Sequence, residues 1–269
     1  HREGVGITLL PVDREGRVSA EEIRRAINPE TKLVSVMLAN NEIGSIYPLK
    51  GICDACHERG VAVHTDGTQG VGKIRVDLRE LDVDLLSLSG HKLYGPQGIG
   101  ALIVRERERP IRLKPLIEGG GQERRLRSGT LPVALIVGLG KACELAGSEM
   151  EAEGERVREW REEMWRQLEA GLPGTSRNTP SEDVLPHNLN VTFAGIEGEQ
   201  LLRRLTEVAV SSGAACSSAE PRPSYVLQAI GLTEEEAKRS IRIGLGRFNT
   251  REEIEYAAEY LIRIVRSMQ

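Results

Sequence analysis

Two hundred and sixty-nine residues are enough for one large domain, or for a large and a small one. A composition of 39% apolar and 28% charged residues is that of a globular chain, while a net charge of −4 and 3% aromatics argue against general affinity for nucleic acid or anionic lipid. No apolar run approaches the roughly 18–20 residues of a membrane helix, the start has no secretory pattern, and four cysteines make no disulfide framework, so a reducing, cytoplasmic setting is expected.

The first residue is His rather than Met, and the chain opens into a β-like run over 6–12, so the sequence reads as cut into rather than started. Up to about residue 105, short apolar runs at 7–12, 33–38, 61–63, 83–88 and 99–104 alternate with helix-like stretches. Ser19 is placed to cap a helix over 20–27, and Gly60 closes another over 49–59. This alternation predicts an α/β fold with a mostly parallel sheet covered by flanking helices. A Gly- and Arg-rich loop follows at 118–129, Pro132 opens a helix to about 150, and a charged helical stretch with Trp160 and Trp165 runs over 151–168. Beyond Pro173 come a strand at 189–193, a helix at 199–205, a short strand near 208–210, a segment 225–230, a strand at 241–245 and a last helix at 251–267. Two units are predicted, a large one over 1–150 and a smaller α+β one over 151–269.

Ligands of open α/β sheets bind beyond the carboxyl ends of the strands. Three runs end there in polar clusters: 33–38 in Asn40-Asn41-Glu42, 61–63 in His64-Thr65-Asp66-Gly67-Thr68-Gln69, and 83–88 in Ser89-Gly90-His91-Lys92. Right-handed crossovers would gather these ends on one side. A carboxylate, amides, a hydroxyl, an imidazole and an amine in one cleft suit pyridoxal 5'-phosphate (PLP). That cofactor needs a lysine for its Schiff base, a carboxylate to keep its ring nitrogen protonated, and small donors for its phosphate.

With Arg127-Ser128-Gly129-Thr130-Leu131-Pro132, Ser211-Ser212-Gly213-Ala214-Ala215-Cys216 and Ser240-Ile241-Arg242-Ile243-Gly244, these motifs resemble cysteine desulfurases of the NifS/IscS type over nearly the whole chain. The resemblance implies a PLP-dependent transferase of fold type I, working as a homodimer, that takes sulfur from L-cysteine, leaves alanine, and passes the sulfur to an acceptor such as an iron–sulfur scaffold protein. It assigns Lys92 to the Schiff base and the Cα proton, Asp66 to the ring nitrogen, and Gln69 and Asn41 to the ring-oxygen side. Ser89 and His91 would hold the phosphate, and Thr130 would reach the phosphate of the partner subunit's cofactor. Arg242 would clamp the substrate carboxylate, a task suited to a bidentate guanidinium, and Asn188 lies in a segment resembling the substrate side. Family members carry about a hundred residues before the point where this chain opens, with a phosphate cup and a ring-stacking histidine, so weak cofactor binding by this chain alone is expected.

Cys216 stands in a run of small polar residues closed by Pro221 and Pro223, which predicts an exposed loop. A nucleophilic thiol must be accessible and ionisable, and by context Cys216 qualifies where Cys143, in an apolar run, reads as buried. Cys53-Asp54-Ala55-Cys56-His57 has the spacing of a haem attachment site, but it lies in a predicted helix of a chain without an export signal, and no second Cys/His pair completes a metal site. His64 shares a strand face with Asp66, and His187 reads as loop surface. Two alternatives stand beside the desulfurase: a selenocysteine or cysteine/cystine lyase, and an inactive or split-chain subunit.

Overall fold

Strands β1 (Leu33–Met37), β2 (Ala62–Asp66) and β3 (Leu85–Ser89) lie side by side and parallel, and β4 (Gly100–Val104) closes the order β1-β2-β3-β4 as an antiparallel edge. The computed structural model describes residues 4–107, 110–212 and 223–269. Helix α2 (Leu49–His57) and the single turn α3 (Leu78–Leu81) form the crossovers, and α1 (Ala20–Ala26) precedes β1 and packs beside α2. Ser19 caps α1 as expected: its hydroxyl accepts from the Glu22 amide, and the Glu22 carboxylate accepts from the Ser19 amide at 2.8 Å. α2 buries Ile52, Cys53 and Cys56 against Val63 and Leu86. Alternation along β2 sends Val63 and Thr65 into that core and leaves His64 and Asp66 on the opposite, half-open face.

A 3-10 turn, Gly90–Leu93, follows β3, and a second, Glu123–Arg125, lies in the Gly/Arg-rich loop. Helix α4 (Val133–Gly171) then runs unbroken for 39 residues across residue 150. Its first half packs Leu139 and Ala142 on Leu93. Its second half packs Val157, Trp160, Met164 and Leu168 on a second, antiparallel sheet of β5 (Ser176–Arg177), β6 (Asn188–Thr192) and β7 (Ser240–Gly244). Short helices α5 (Gly198–Arg204), α6 (Tyr225–Ala229) and α7 (Glu234–Lys238) connect these strands. The final helix, α8 (Arg251–Arg266), covers the sheet with Ile254, Ala257, Ala258, Leu261 and Val265, the three-to-four spacing of a helix with one buried face.

Three expectations change. Residues 7–12 form no strand: Ile7 and Leu9 are exposed, no described strand offers them a ladder partner, and Pro11 has no amide to donate. Residues 208–210 form none either, and only Ser211 bridges to Arg242. Cys143 is exposed, because the buried stripe of α4 runs through Leu139, Ala142 and Ala146 and leaves position 143 on the outer face.

Candidate active site

Asp66 ends the central strand of the parallel trio, with Met37 opposite it on one side and Ser87 on the other. Neighbouring strands are about 4.8 Å apart, so the turn after β1 and the turn after β3 flank this carboxylate. Thr68 donates its amide to Asp66 Oδ1 at 2.9 Å, and no cation pairs with Asp66 among the described residues. Gln69 follows, half-buried, in the turn after β2. Behind Asp66 on the same face, His64 bridges three strands, its Nδ1 2.9 Å from Ser35 Oγ and its Nε2 3.2 Å from Ser87 Oγ. These contacts make it a packed histidine.

The turn after β3 presents Ser89, His91 and Lys92. Leu93 is buried and anchors the turn, which leaves His91 and Lys92 exposed. Ser89 Oγ lies 2.9 Å from His91 Nδ1, and Lys92 has no ion-pair partner among the described residues. Lys73, by contrast, is locked to Glu153 at 3.1 Å with both side chains buried.

The turn after β1 is fixed by Asn40, whose Oδ1 accepts from the Glu42 and Ile43 amides at 2.8 and 3.0 Å. It presents the Asn41 carbonyl to the second sheet, where Arg242 Nη1 on β7 donates to it at 2.9 Å and Asn188 Nδ2 on β6 at 3.5 Å. The Asn188 Oδ1 is buried without a partner among the described residues. Arg242 also exchanges backbone hydrogen bonds with Ser211. Thus Asn41, Asn188 and Arg242 meet between the two sheets, and Asp66, Ser89 and Lys92 lie at or just beyond the neighbouring strand ends of the first.

Thr130 is exposed and stands apart, at the end of a loop held by a Ser128 hydroxyl donating to the Gly120 carbonyl at 2.8 Å. Cys216 lies outside the described residues. Both described flanks of its segment reach the site: Ser211 at Arg242, and Ser224, whose hydroxyl donates to the buried Glu42 carboxylate at 2.5 Å. Sequence reasoning quoted Glu42 only as part of a motif and missed this tie; its partner lies 182 residues away. Burial pushes the Glu42 carboxyl up, although Ser224 and Arg242 pull the other way.

His187 corrects a sequence expectation. The residue is half-buried, its Nδ1 fully so beside Pro186 and α4 and without a partner among the described residues, and burial, reinforced by the Lys73 charge, drives the imidazole down to about 4. The turn before β6 is folded inward because both sheets share α4. The Cys53/Cys56/His57 pattern is structural: His57 sits between Asp82 and Asp84, 3.3 and 3.0 Å away, at the sheet end opposite Lys92. Burial raises the Cys53 thiol to about 12 and Cys56 to about 11. Among the described residues no cluster suits a metal ion, and no helix is long and apolar enough to cross a membrane.

The donor set fits PLP. Among the described residues, a carboxylate without a cation partner, an exposed unpaired amine and a hydroxyl–imidazole pair lie at the strand ends of the first sheet, and an orphaned buried amide oxygen lies on β6 of the second.

The fold and these donors define a PLP-dependent protein with a mostly parallel sheet and flanking helices. The family model for class-V aminotransferases matches residues 1–257. A cysteine desulfurase IscS of Ehrlichia chaffeensis is 46% identical over 267 residues, 99% of this chain and 65% of its own length. Among solved structures, a NifS-like protein superposes with a TM-score of 0.89 at 36% identity, over 99% of this chain and 70% of its own. A structure of SspA in complex with cysteine superposes at 0.74 and 38% identity, over 92% and 68%. The chain belongs to the class-V aminotransferase family, in its NifS/IscS cysteine desulfurase branch. It spans 58–65% of the length of the curated relatives it matches.

Proposed function

We propose that the protein is a cysteine desulfurase that moves sulfur from L-cysteine onto Cys216, leaving L-alanine. The observation that carries this reading is the Arg242 guanidinium docked on the Asn41 carbonyl, beside the strand that ends in Asp66. It sets a carboxylate clamp next to the cofactor donors. Asp66 would face the ring nitrogen, Gln69 and Asn41 the ring-oxygen side, and Ser89 and His91 the phosphate, with Thr130 serving a partner subunit's phosphate. Bound PLP supplies an electron sink that makes the substrate Cα proton acidic. Lys92, bearing no counter-ion among the described residues, takes and returns that proton, while Arg242 and Asn188 hold the amino-acid end. The Cys216 thiolate then attacks the substrate sulfur: an S–S bond forms, the C–S bond breaks, and its electron pair stays on carbon, which is protonated to alanine. Cys53 and Cys56, with thiols raised by burial, are unsuited to this step.

We further propose a homodimer, supported by exposed Leu116, Ile117, Val133 and Val137 close in sequence to Thr130, and a sulfur-acceptor protein of the iron–sulfur scaffold kind. The free thiols of Cys53 and Cys56 support a reducing, cytoplasmic setting. The separate cores of the two sheets support a division into units 1–150 and 151–269 sharing α4.

The test is product analysis of the PLP-loaded protein given L-cysteine. Wild type is expected to release alanine and gain one sulfur on the Cys216 peptide, and borohydride reduction should label Lys92 rather than Lys73 or Lys114. Cys216→Ser should lose nearly all alanine release. Alanine release retained in Cys216→Ser, or pyruvate and ammonia from wild type, overturns the reading in favour of a lyase.

A further inference from the structure

Tyr94 follows the turn that presents Lys92, and its backbone is left-handed, φ 64° and ψ 19°. Side chains other than glycine rarely adopt that conformation, and bulky ones least of all. Its amide, and that of Gly95, return to the Gly90 carbonyl, which closes the turn around Lys92.

The phenol, 40% exposed, is held by four neighbouring side chains and one backbone amide. Lys73 Nζ sits 3.7 Å and Arg247 Cζ 4.7 Å from the ring centroid, both within cation–π range. The Phe248 ring meets it edge-on at 5.6 Å. Its hydroxyl donates to Glu153 Oε1 at 3.2 Å and accepts from the Arg247 amide at 2.8 Å. Glu153 is itself buried and bonded to both cations, Lys73 at 3.1 Å and Arg247 Nε at 2.7 Å. Gly246 lets the chain cross the ring, since a Cβ there would lie 3.1 Å from the Tyr94 oxygen.

Arg247 lies five residues beyond Arg242 on the segment leaving β7. One phenol therefore ties the Lys92 turn of the first sheet to the strand of the second sheet that carries the carboxylate clamp. We propose that Tyr94 is a positioning residue: it holds the Lys92 turn closed and sets the spacing between the Lys92 amine and the Arg242 guanidinium. The inference rests on the desulfurase reading for its catalytic consequence, but not for its structural one.

Two substitutions and two measurements test it. Tyr94→Gly keeps the left-handed backbone without strain and removes the clamp; Tyr94→Phe keeps the ring and removes the hydroxyl bonds. In the full chain without PLP, amide hydrogen exchange over 90–95 is expected to speed at least tenfold in Tyr94→Gly and less in Tyr94→Phe, with exchange in α8 unchanged. In the PLP-loaded protein, kcat is expected to fall at least tenfold in Tyr94→Gly, with KM for L-cysteine moving less than threefold because Arg242 is untouched. Unchanged exchange over 90–95 in both variants overturns the proposal, and so does an equal rise in α8, which marks a general loss of stability. Should Tyr94→Gly not fold, Tyr94→Phe alone decides by the same criteria. If wild type releases no alanine, the desulfurase reading fails while the exchange data still judge Tyr94.

Discussion

Every residue of β6 is buried, including Asn188, Asn190 and Thr192, whereas β4 is exposed along most of its length and β1 at Leu33 and Ser35. The polar face of β6 is almost fully satisfied by protein: Asn190 donates to the Glu42 carbonyl at 3.2 Å and accepts from Asn178, and Thr192 meets Ser240 at 2.7 Å. On the first sheet, Asp66 and Lys92 lack ionic partners among the described residues. Polar groups closed on one another specify a structure, while polar groups left open on a shaped face await a ligand. Asn188 Oδ1 is the exception in that strand, buried without a partner among the described residues, on a side chain whose Nδ2 reaches the Asn41 carbonyl of the first sheet.

The sharpest way to break this comparison is to remove an open group. Asp66→Ala is expected to cut alanine release from L-cysteine by about a thousandfold or more, roughly 4 kcal/mol of barrier, with urea-unfolding stability within about 0.5 kcal/mol of wild type. A loss of only about tenfold, roughly 1.4 kcal/mol, would make Asp66 merely positional.

Truncating the closed region should do the reverse. Phe193 is fully buried between the second sheet and its helices. Phe193→Ala should cost about 3–5 kcal/mol in denaturant unfolding, against less than about 0.5 kcal/mol for Leu102→Ala on exposed β4. Equal costs would mean that β4 is covered in solution, as a partner subunit would cover it.

The smallest effect probes the seam between the regions. His187 has its imidazole held down to about 4 from an ordinary 6.5 by burial. Well above pH 6.5 neither the folded nor the unfolded chain protonates it. As the pH falls from 6.5 toward 4 the unfolded chain takes up a proton that the folded one refuses, so stability is lost across that window. Between pH 7.5 and 5, wild type should lose about 2 kcal/mol more than His187→Asn. Equal slopes would show that water reaches His187 and the seam is open.

Much of this was legible in the chain because the signals are local. An apolar run followed at once by Asp66, or by Ser89 and Lys92, announces a strand end with its chemistry attached. Ser19 with Glu22 announces a helix start. What escaped depends on partners far away in sequence. The run at 7–12 has the residues of a strand but, among the described residues, no neighbour to pair with. Residue 150 marks a change from apolar to charged composition, yet the buried stripe Ala142, Ala146, Val157, Trp160 keeps helical phase across it, so α4 does not break. The grip on Tyr94 joins Lys73, Glu153 and Arg247, and no window of sequence brings those together.

The continuity of α4 makes it a lever. At 1.5 Å per residue, 39 residues span about 58 Å, and a tilt of one degree about one end moves the other by about 1 Å. Misplacement of that size at reacting atoms can cost about a hundredfold in rate. The Lys92 turn rests on the first half of this rod, while Trp160, Met164 and Leu168 clamp the second half against the far sheet. Alignment at the amine is thus a mechanical property of a long bar, fixed in part by side chains roughly 30–40 Å further along the same helix.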